Sequence, residues 1–212
     1  VGTFGDFGCF SFYPTKILGT YGDGGFIITK KNNDYKKIKR LRFYGIETTD
    51  KKNKFYNKYY ANENGLNSRI DEIQSSILNI KLKYVDNFIK RRIDLANIYL
   101  ENLKETSLKL PHINNFSKHV YHLFTVRHKQ KEKIVRSLKK KKIETRVIYP
   151  YPINSMKAYK KFESKKNNLK KTLIISKEIF SLPLYPELRV SEVHLICKIV
   201  KKILKPIDQR KY

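Results

Sequence analysis

Cysteine is nearly absent from this chain. Its two copies, Cys9 and Cys197, lie far apart and form no CxxC pair, which argues against both a zinc site and a disulfide framework and fits a reducing cytoplasm. Long apolar runs are missing too. None approaches the roughly 18 to 20 residues that span a bilayer, so no membrane partner is expected. No signal peptide, internal repeat or low-complexity linker is evident. Because residue 1 is Val1 rather than methionine, the true N-terminus is expected to lie upstream.

Carboxylates are scarce: 19 Asp and Glu stand against 46 Lys and Arg, a net charge of +27 over 212 residues. Such an excess ordinarily suggests a polyanion partner. Here the lysines are spread through every segment beside many Asn, Ile and Tyr, which reads as compositional drift rather than a nucleic-acid surface. The densest run, 139–142, ends a predicted helix, where cations oppose the negative helix terminus. A basic nucleic-acid-binding protein remains the alternative class, and would show DNA binding with a steep salt dependence.

A hydrophobic content of 40% allows a real core. The order of elements is αβ. Residues 7–12 alternate, with Cys9, Ser11 and Tyr13 on one face and Phe10 and Phe12 packing into the core. A buried strand is expected at 24–29 and a short helix at 34–41. Ser68 and Asp71 match a capping box, so a helix should start there. Apolar spacing of three and four then continues for about 35 residues, roughly 50 Å, with a bend near 85–90 that ties two domains together. Farther on, strands are expected at 120–126 and 145–149, helices at 131–141 and 169–180, and a last helix capped by Ser191.

The segment Phe-Ser-Phe-Tyr-Pro-Thr-Lys at 10–16, followed by Gly-Asp-Gly-Gly at 22–25, carries the most chemistry. A lysine that bonds an aldehyde must react as a neutral amine, which needs a partly desolvated setting such as Phe10, Phe12 and Tyr13 could give Lys16. Pro14 ends ladder pairing and releases Lys16 into a loop, and Gly22, Gly24 and Gly25 permit backbone conformations closed to other residues. On spacing alone, a solvated lysine beside a hairpin explains the pattern better. His119, Tyr121 and His122 invite a catalytic role, but strand alternation sets His122 opposite Tyr121 and no carboxylate is spaced to orient either histidine. A structural or rim role fits them better.

The string at 10–29 closely resembles the lysine segment of the DegT/DnrJ/StrS-type sugar aminotransferases, and the blocks GLNSRIDEIQSSIL at 65–78, HVYHLFTVR at 119–127 and SLPLYPEL at 181–188 are similar to further family segments in the same order. The resemblance implies an α/β, fold-type-I aminotransferase: a truncated large domain at 1–84 and a small α/β C-terminal domain at 85–212. It implies pyridoxal 5'-phosphate as cofactor and a homodimer with a shared active site. It also implies transfer of an amino group from glutamate to a keto sugar nucleotide, for surface polysaccharide or related glycans. Lys16 matches the lysine that anchors the cofactor and shuttles a proton, and Ser11 a hydroxyl on the cofactor phosphate. Asn67 matches an asparagine that reaches the neighbouring subunit's cofactor. Arg69 is placed near that shared site, and Tyr149, beside Tyr151, in a substrate-side loop. No metal is implied. The carboxylate that pairs with the cofactor's ring nitrogen lies, in the family, before the point where this chain begins, and Asp6 and Asp23 do not match it. The chain is therefore expected to be a fragment, inactive alone, with a non-catalytic remnant of the same fold as a further alternative.

Overall fold

A computed structural model describes residues 1–47, 59–162 and 169–204. The chain divides into two compact units, Val1–Val85 and Asp86–Tyr212.

In the first unit, β1 (Phe7–Ser11) and β2 (Gly25–Thr29) form a two-stranded antiparallel sheet, with Phe7 opposite Thr29 and Ser11 opposite Gly25. The alternation expected for β1 is present: Phe7, Cys9 and Ser11 are exposed, while Gly8 and Phe10 turn inward. The rings of Phe10 and Phe12 stack on Phe26 at 4.6 and 5.1 Å. β2 departs from the expected buried strand. Phe26 is 42% and Ile27 50% exposed, and no third strand pairs with this sheet among the described residues. Helix α1 (Asn32–Leu41) follows, and Arg40 at its end pairs with Glu63 at 2.9 Å and Glu47 at 3.3 Å. That pairing fastens the helix to the segment that leads into Asn67.

The long helix expected from Ser68 is two helices. The backbone N–H of Ser68 instead bonds the carbonyl of Arg42, and Asn67 bridges to Phe43, so this stretch is extended and pairs with the chain after α1. Helix α2 (Glu72–Leu82) therefore begins after Asp71, and no capping box forms at Ser68. It ends at a turn in which the N–H groups of Lys83 and Tyr84 reach back three residues, just before the region in which a bend was expected; α3 (Val85–Leu103) then starts afresh.

The second unit holds nearly all of the buried core. Nineteen buried residues form one cluster, including Leu95 and Tyr99 of α3, Phe124 and Val126 of β3 (Phe124–Arg127), Ile134 and Leu138 of α4 (Lys131–Lys140) and Phe180 of β4 (Ile179–Leu182). Val193, Ile196 and Val200 of α6 (Val190–Ile203) complete it. In the first unit, Ile46 is the one hydrophobic side chain counted as buried among the described residues. β3 and β4 pair antiparallel, Phe124 opposite Leu182, and bridges at Lys109 to Arg127 and Arg146 to Ser181 extend the sheet on either side.

Several boundaries differ from expectation here. The first strand starts at Phe124 rather than 120, since Tyr121 has φ of 47° and breaks the extended run. Of the strand expected at 145–149, only the bridge at Arg146 forms. Helix α5 (Lys170–Glu178) stops at Glu178, because Ile179 and Phe180 are drawn into β4 opposite β3. The last helix begins one residue before Ser191, and its first turn is closed by Glu192, whose carboxylate accepts from the Arg189 backbone N–H at 2.9 Å and its guanidinium at 3.1 Å.

Among the described residues the segment after β4 has no strand partner, and α3 side chains take over its carbonyls. The Tyr99 hydroxyl donates to Pro183 at 3.0 Å, Arg92 to Leu184 at 2.8 Å, and Arg91 to Pro186 at 3.3 Å and Leu188 at 3.1 Å. Arg92 is 7% exposed and also reaches the carbonyls of Tyr121 and His122. Burial lowers the affinity of its guanidinium for a proton, opposed by Glu187. Three carbonyls on one arginine join the 119–122 turn to the 183–188 segment, which explains why both motifs occur in one small unit.

The two cysteines differ sharply. Burial pushes the Cys197 thiol up to about 12, so almost no thiolate exists near pH 8, whereas Cys9 is exposed. A thiol reagent at pH 8 should label one cysteine per native chain, Cys9, and both after denaturation. Native labelling of Cys197 at a comparable rate would contradict its burial.

Candidate active site

Lys16 stands in a loop that leaves β1 after Ser11 and returns to β2 at Gly25. Backbone bonds close its base: the Phe12 N–H donates to Gly24 and the Thr20 N–H to Phe12, each at 2.8 Å. The hydroxyl of Thr20, fully buried, also reaches the Phe12 carbonyl. Within the loop the Lys16 N–H donates to Tyr13 at 2.8 Å, a turn that follows directly from Pro14. Lys16 itself is partly buried.

The glycines act through space rather than through unusual backbone angles. Gly22, Gly24 and Gly25 do not have positive φ, contrary to expectation. A Cβ on Gly25 would sit 2.7 Å from the Phe10 carbonyl oxygen, and one on Gly19 would sit 2.7 Å from that of Tyr13 and 2.8 Å from that of Pro14. The two limbs of the loop are therefore in direct backbone contact.

Ser11 is exposed at the end of β1, and its Oγ accepts the Tyr13 N–H at 3.2 Å. Its hydroxyl hydrogen donates to no group among the described residues, and so remains available for an anionic oxygen. Asn67 and Arg69 are brought together: Arg69 Nε donates to Asn67 Oδ1 at 3.1 Å, and the guanidinium lies over the rings of Phe43 and Tyr44 at 5.1 and 5.9 Å. Extended backbone lets residues two apart share a side, and stacking holds the arginine there. Both are exposed, and among the described residues no hydrogen bond links either of them to Ser11 or Lys16. Tyr149 belongs to the second unit and is 75% exposed. Asp6 pairs with Lys31 at 2.7 Å, which holds its carboxyl below the usual range and commits it away from the loop.

His119 has a structural part. His119 Nδ1 accepts the Tyr121 N–H at 3.0 Å and its ring lies 4.2 Å from that of buried Tyr121. The alternation used to separate Tyr121 from His122 does not apply, since Tyr121 is left-handed. A serine-histidine pair does occur elsewhere, with Ser107 Oγ 3.0 Å from His128 Nε2. Because His128 Nδ1 accepts the Gln130 N–H, the neutral ring carries its proton on Nε2 and donates to the serine, the wrong tautomer for a base. Burial also holds this imidazole below its usual range.

Two further side chains hold the loop, Gln74 and Lys81 of α2, which bond Tyr21 and Gly19; Gln74 is the glutamine of the family-like block at 65–78, whereas Lys81 gave no signal in the sequence. Their spacing of seven merely continues the helix.

The sequence pattern of the DegT/DnrJ/EryC1/StrS aminotransferase family matches residues 1–201, a span that takes in the loop, the Asn67 segment and all of the buried core cluster except Leu204. The chain belongs to this family. Similar to this family member is the dTDP-3-amino-3,6-dideoxy-alpha-D-galactopyranose transaminase of Aneurinibacillus thermoaerophilus, 37% identical over 202 residues, covering 95% of this chain and 53% of that protein. The dTDP-3-amino-3,4,6-trideoxy-alpha-D-glucose transaminase of Micromonospora megalomicea is 33% identical over 209 residues, covering 96% and 54%. A solved DegT DnrJ EryC1 StrS aminotransferase from Brucella abortus superimposes with a TM-score of 0.87 at 26% identity, covering 96% of this chain and 52% of that one. The family member thus shares the α/β fold of these enzymes and spans about half the length of the relatives it matches. Among its described residues, no helix is long and apolar enough to cross a membrane.

Proposed function

We propose that this chain is the lysine-bearing part of a pyridoxal-phosphate-dependent aminotransferase that moves an amino group from glutamate to the keto group of a nucleotide-linked sugar. The intact enzyme would work in the cytoplasm as a homodimer and supply amino sugars for surface polysaccharide or related glycans. Residues 1–84 would finish the cofactor domain and 85–212 form the small domain. The observation that carries this reading is the placement of Lys16: one partly buried amine on a loop closed by backbone bonds, inside a family match that spans the chain. The amino-sugar transaminases among its relatives support the substrate class.

The residues present fit the cofactor. Ser11 has a hydroxyl hydrogen to donate to a phosphate oxygen, and Asn67 keeps its amide N–H groups for the same use while its Oδ1 is held by Arg69. Lys16 Nζ would hold the cofactor through its aldehyde carbon, the aldehyde oxygen leaving as water, and as a free amine would hold and pass one proton. The cofactor, when bound, supplies the electron sink that stabilises charge on the substrate carbon. Asn67 and Arg69, exposed on an extended segment, are the residues we assign to the neighbouring subunit's site. Tyr149 offers an exposed ring to the sugar or base.

Borohydride reduction of the full-length protein after incubation with pyridoxal phosphate tests the assignment. The phosphopyridoxyl group should map to the peptide containing Lys16 in preference to the many surface lysines. Labelling scattered over those lysines, with Lys16 unmodified, would show a remnant of the fold without the chemistry.

A further inference from the structure

We propose that Gln74 and Lys81 are positioning residues for Lys16, gripping its loop from helix α2. What Lys16 does chemically rests on the function proposed above; the grip itself does not. Lys81 Nζ donates to the Gly19 carbonyl at 2.7 Å, and Gln74 Oε1 accepts the Tyr21 N–H at 2.8 Å. Residues seven apart on a helix lie on one face about 10 Å apart, so α2 meets the returning limb of the loop at two separated points. The Lys81 ammonium also sits 4.8 Å from the centre of the Tyr21 ring, which adds a cation–π contact to the same limb.

The grip reaches Lys16 through Gly19. With no side chain there, the returning limb lies against the carbonyls of Tyr13 and Pro14 on the outgoing limb. The Tyr13 carbonyl is the acceptor for the Lys16 N–H. A displacement of Gly19 is therefore passed in one backbone contact to the peptide group that sets the Lys16 turn. Neither Gln74 nor Lys81 need touch a ligand to do this. Their contribution is to hold one arrangement of a loop that has no regular secondary structure between Ser11 and Gly25, and a misplacement of about 1 Å at a reacting group costs on the order of a hundredfold in rate.

Amide hydrogen exchange on this chain tests the proposal directly, with borohydride capture of pyridoxal phosphate as a second measurement. In Gln74→Ala and Lys81→Met, the amides of both Tyr21 and Lys16 should exchange roughly tenfold faster, the worth of one ordinary hydrogen bond. Protection in β3 should not change. Capture at Lys16 should fall relative to capture at exposed Lys133. Gln74→Glu and Lys81→Arg keep the acceptor and the donor, and should exchange and capture like the parent. The proposal is overturned if Tyr21 is released while Lys16 exchange and capture stay parental, since the bonds would then be merely local. It is equally overturned if the conservative pair releases Lys16 as fully as the truncations, even should the truncations unfold the first unit. Failure of the parent chain to capture the cofactor at Lys16 would instead remove the functional assignment, leaving the exchange of Lys16 to decide the grip.

Discussion

On the proposed function, Lys16→Ala in the full-length protein is expected to lower turnover by a factor of about a hundred to ten thousand, the usual worth of a positioned proton-transfer group, while thermal unfolding stays unchanged. The fold should be indifferent because the bonds that close the loop are made by the backbone of Phe12, Thr20, Gly24 and Lys16 itself, none of which needs the ammonium. Lys16→Arg sharpens the test. A guanidinium keeps the charge and the length but stays protonated at any working pH, so it cannot bond an aldehyde carbon. Both variants should lose the borohydride-reducible adduct together with activity. Turnover retained by either would place the reactive amine elsewhere, most directly on Lys81 of α2, whose Nζ already reaches the loop at Gly19.

The largest loss of stability is expected in the other unit. Phe124 is fully buried, with its ring 4.8 Å from that of Tyr99 and 6.0 Å from that of Tyr121. Phe124→Ala removes the centre of this aromatic stack and leaves a cavity that β3, pinned by β4 and by the Lys109 bridge, cannot close. The cost should be about 3–5 kcal/mol, read from denaturant unfolding followed by circular dichroism. Tyr99→Phe should cost about 1 kcal/mol, since only the hydroxyl bond to Pro183 is lost. A change below about 1 kcal/mol for Phe124→Ala would mean that the second unit's core is not close-packed.

The elements most legible in the sequence were those set by local pattern. Alternation in β1, the apolar stripes of α4 and α6 and the proline that opens the Lys16 turn depend on neighbours in the chain, and each stands where expected. The residues of the candidate site were legible only as motif positions: their types suggested the chemistry, and the family string singled them out. Errors arose wherever a distant partner decided the outcome. Ser68 satisfies the rule for a helix cap, yet its N–H is claimed by Arg42, twenty-six residues earlier. Ile179 and Phe180 continue a helical pattern, yet β3 draws them into a strand. Arg92 reads as one more surface cation in a lysine-rich chain, and nothing nearby in sequence tells that three carbonyls from two distant segments converge on it. Lys81 was hidden for the same reason, and Gln74, visible as a motif glutamine, gave no hint of the loop it bonds.

Among the described residues the β1–β2 ribbon has no further strand on either border, and Phe26 and Ile27 are half uncovered, which makes it a template for another molecule's strand. Mutual repulsion from a net charge of +27 opposes such an encounter. That protection weakens as salt shrinks the reach of each charge, to roughly 8 Å at physiological ionic strength and 3 Å at 1 M. Colloidal behaviour of the isolated polypeptide is thus tied to its scarcity of carboxylates: the same imbalance that resembles a polyanion-binding surface keeps a bare hairpin dispersed, and concentrated salt should bring it out of solution.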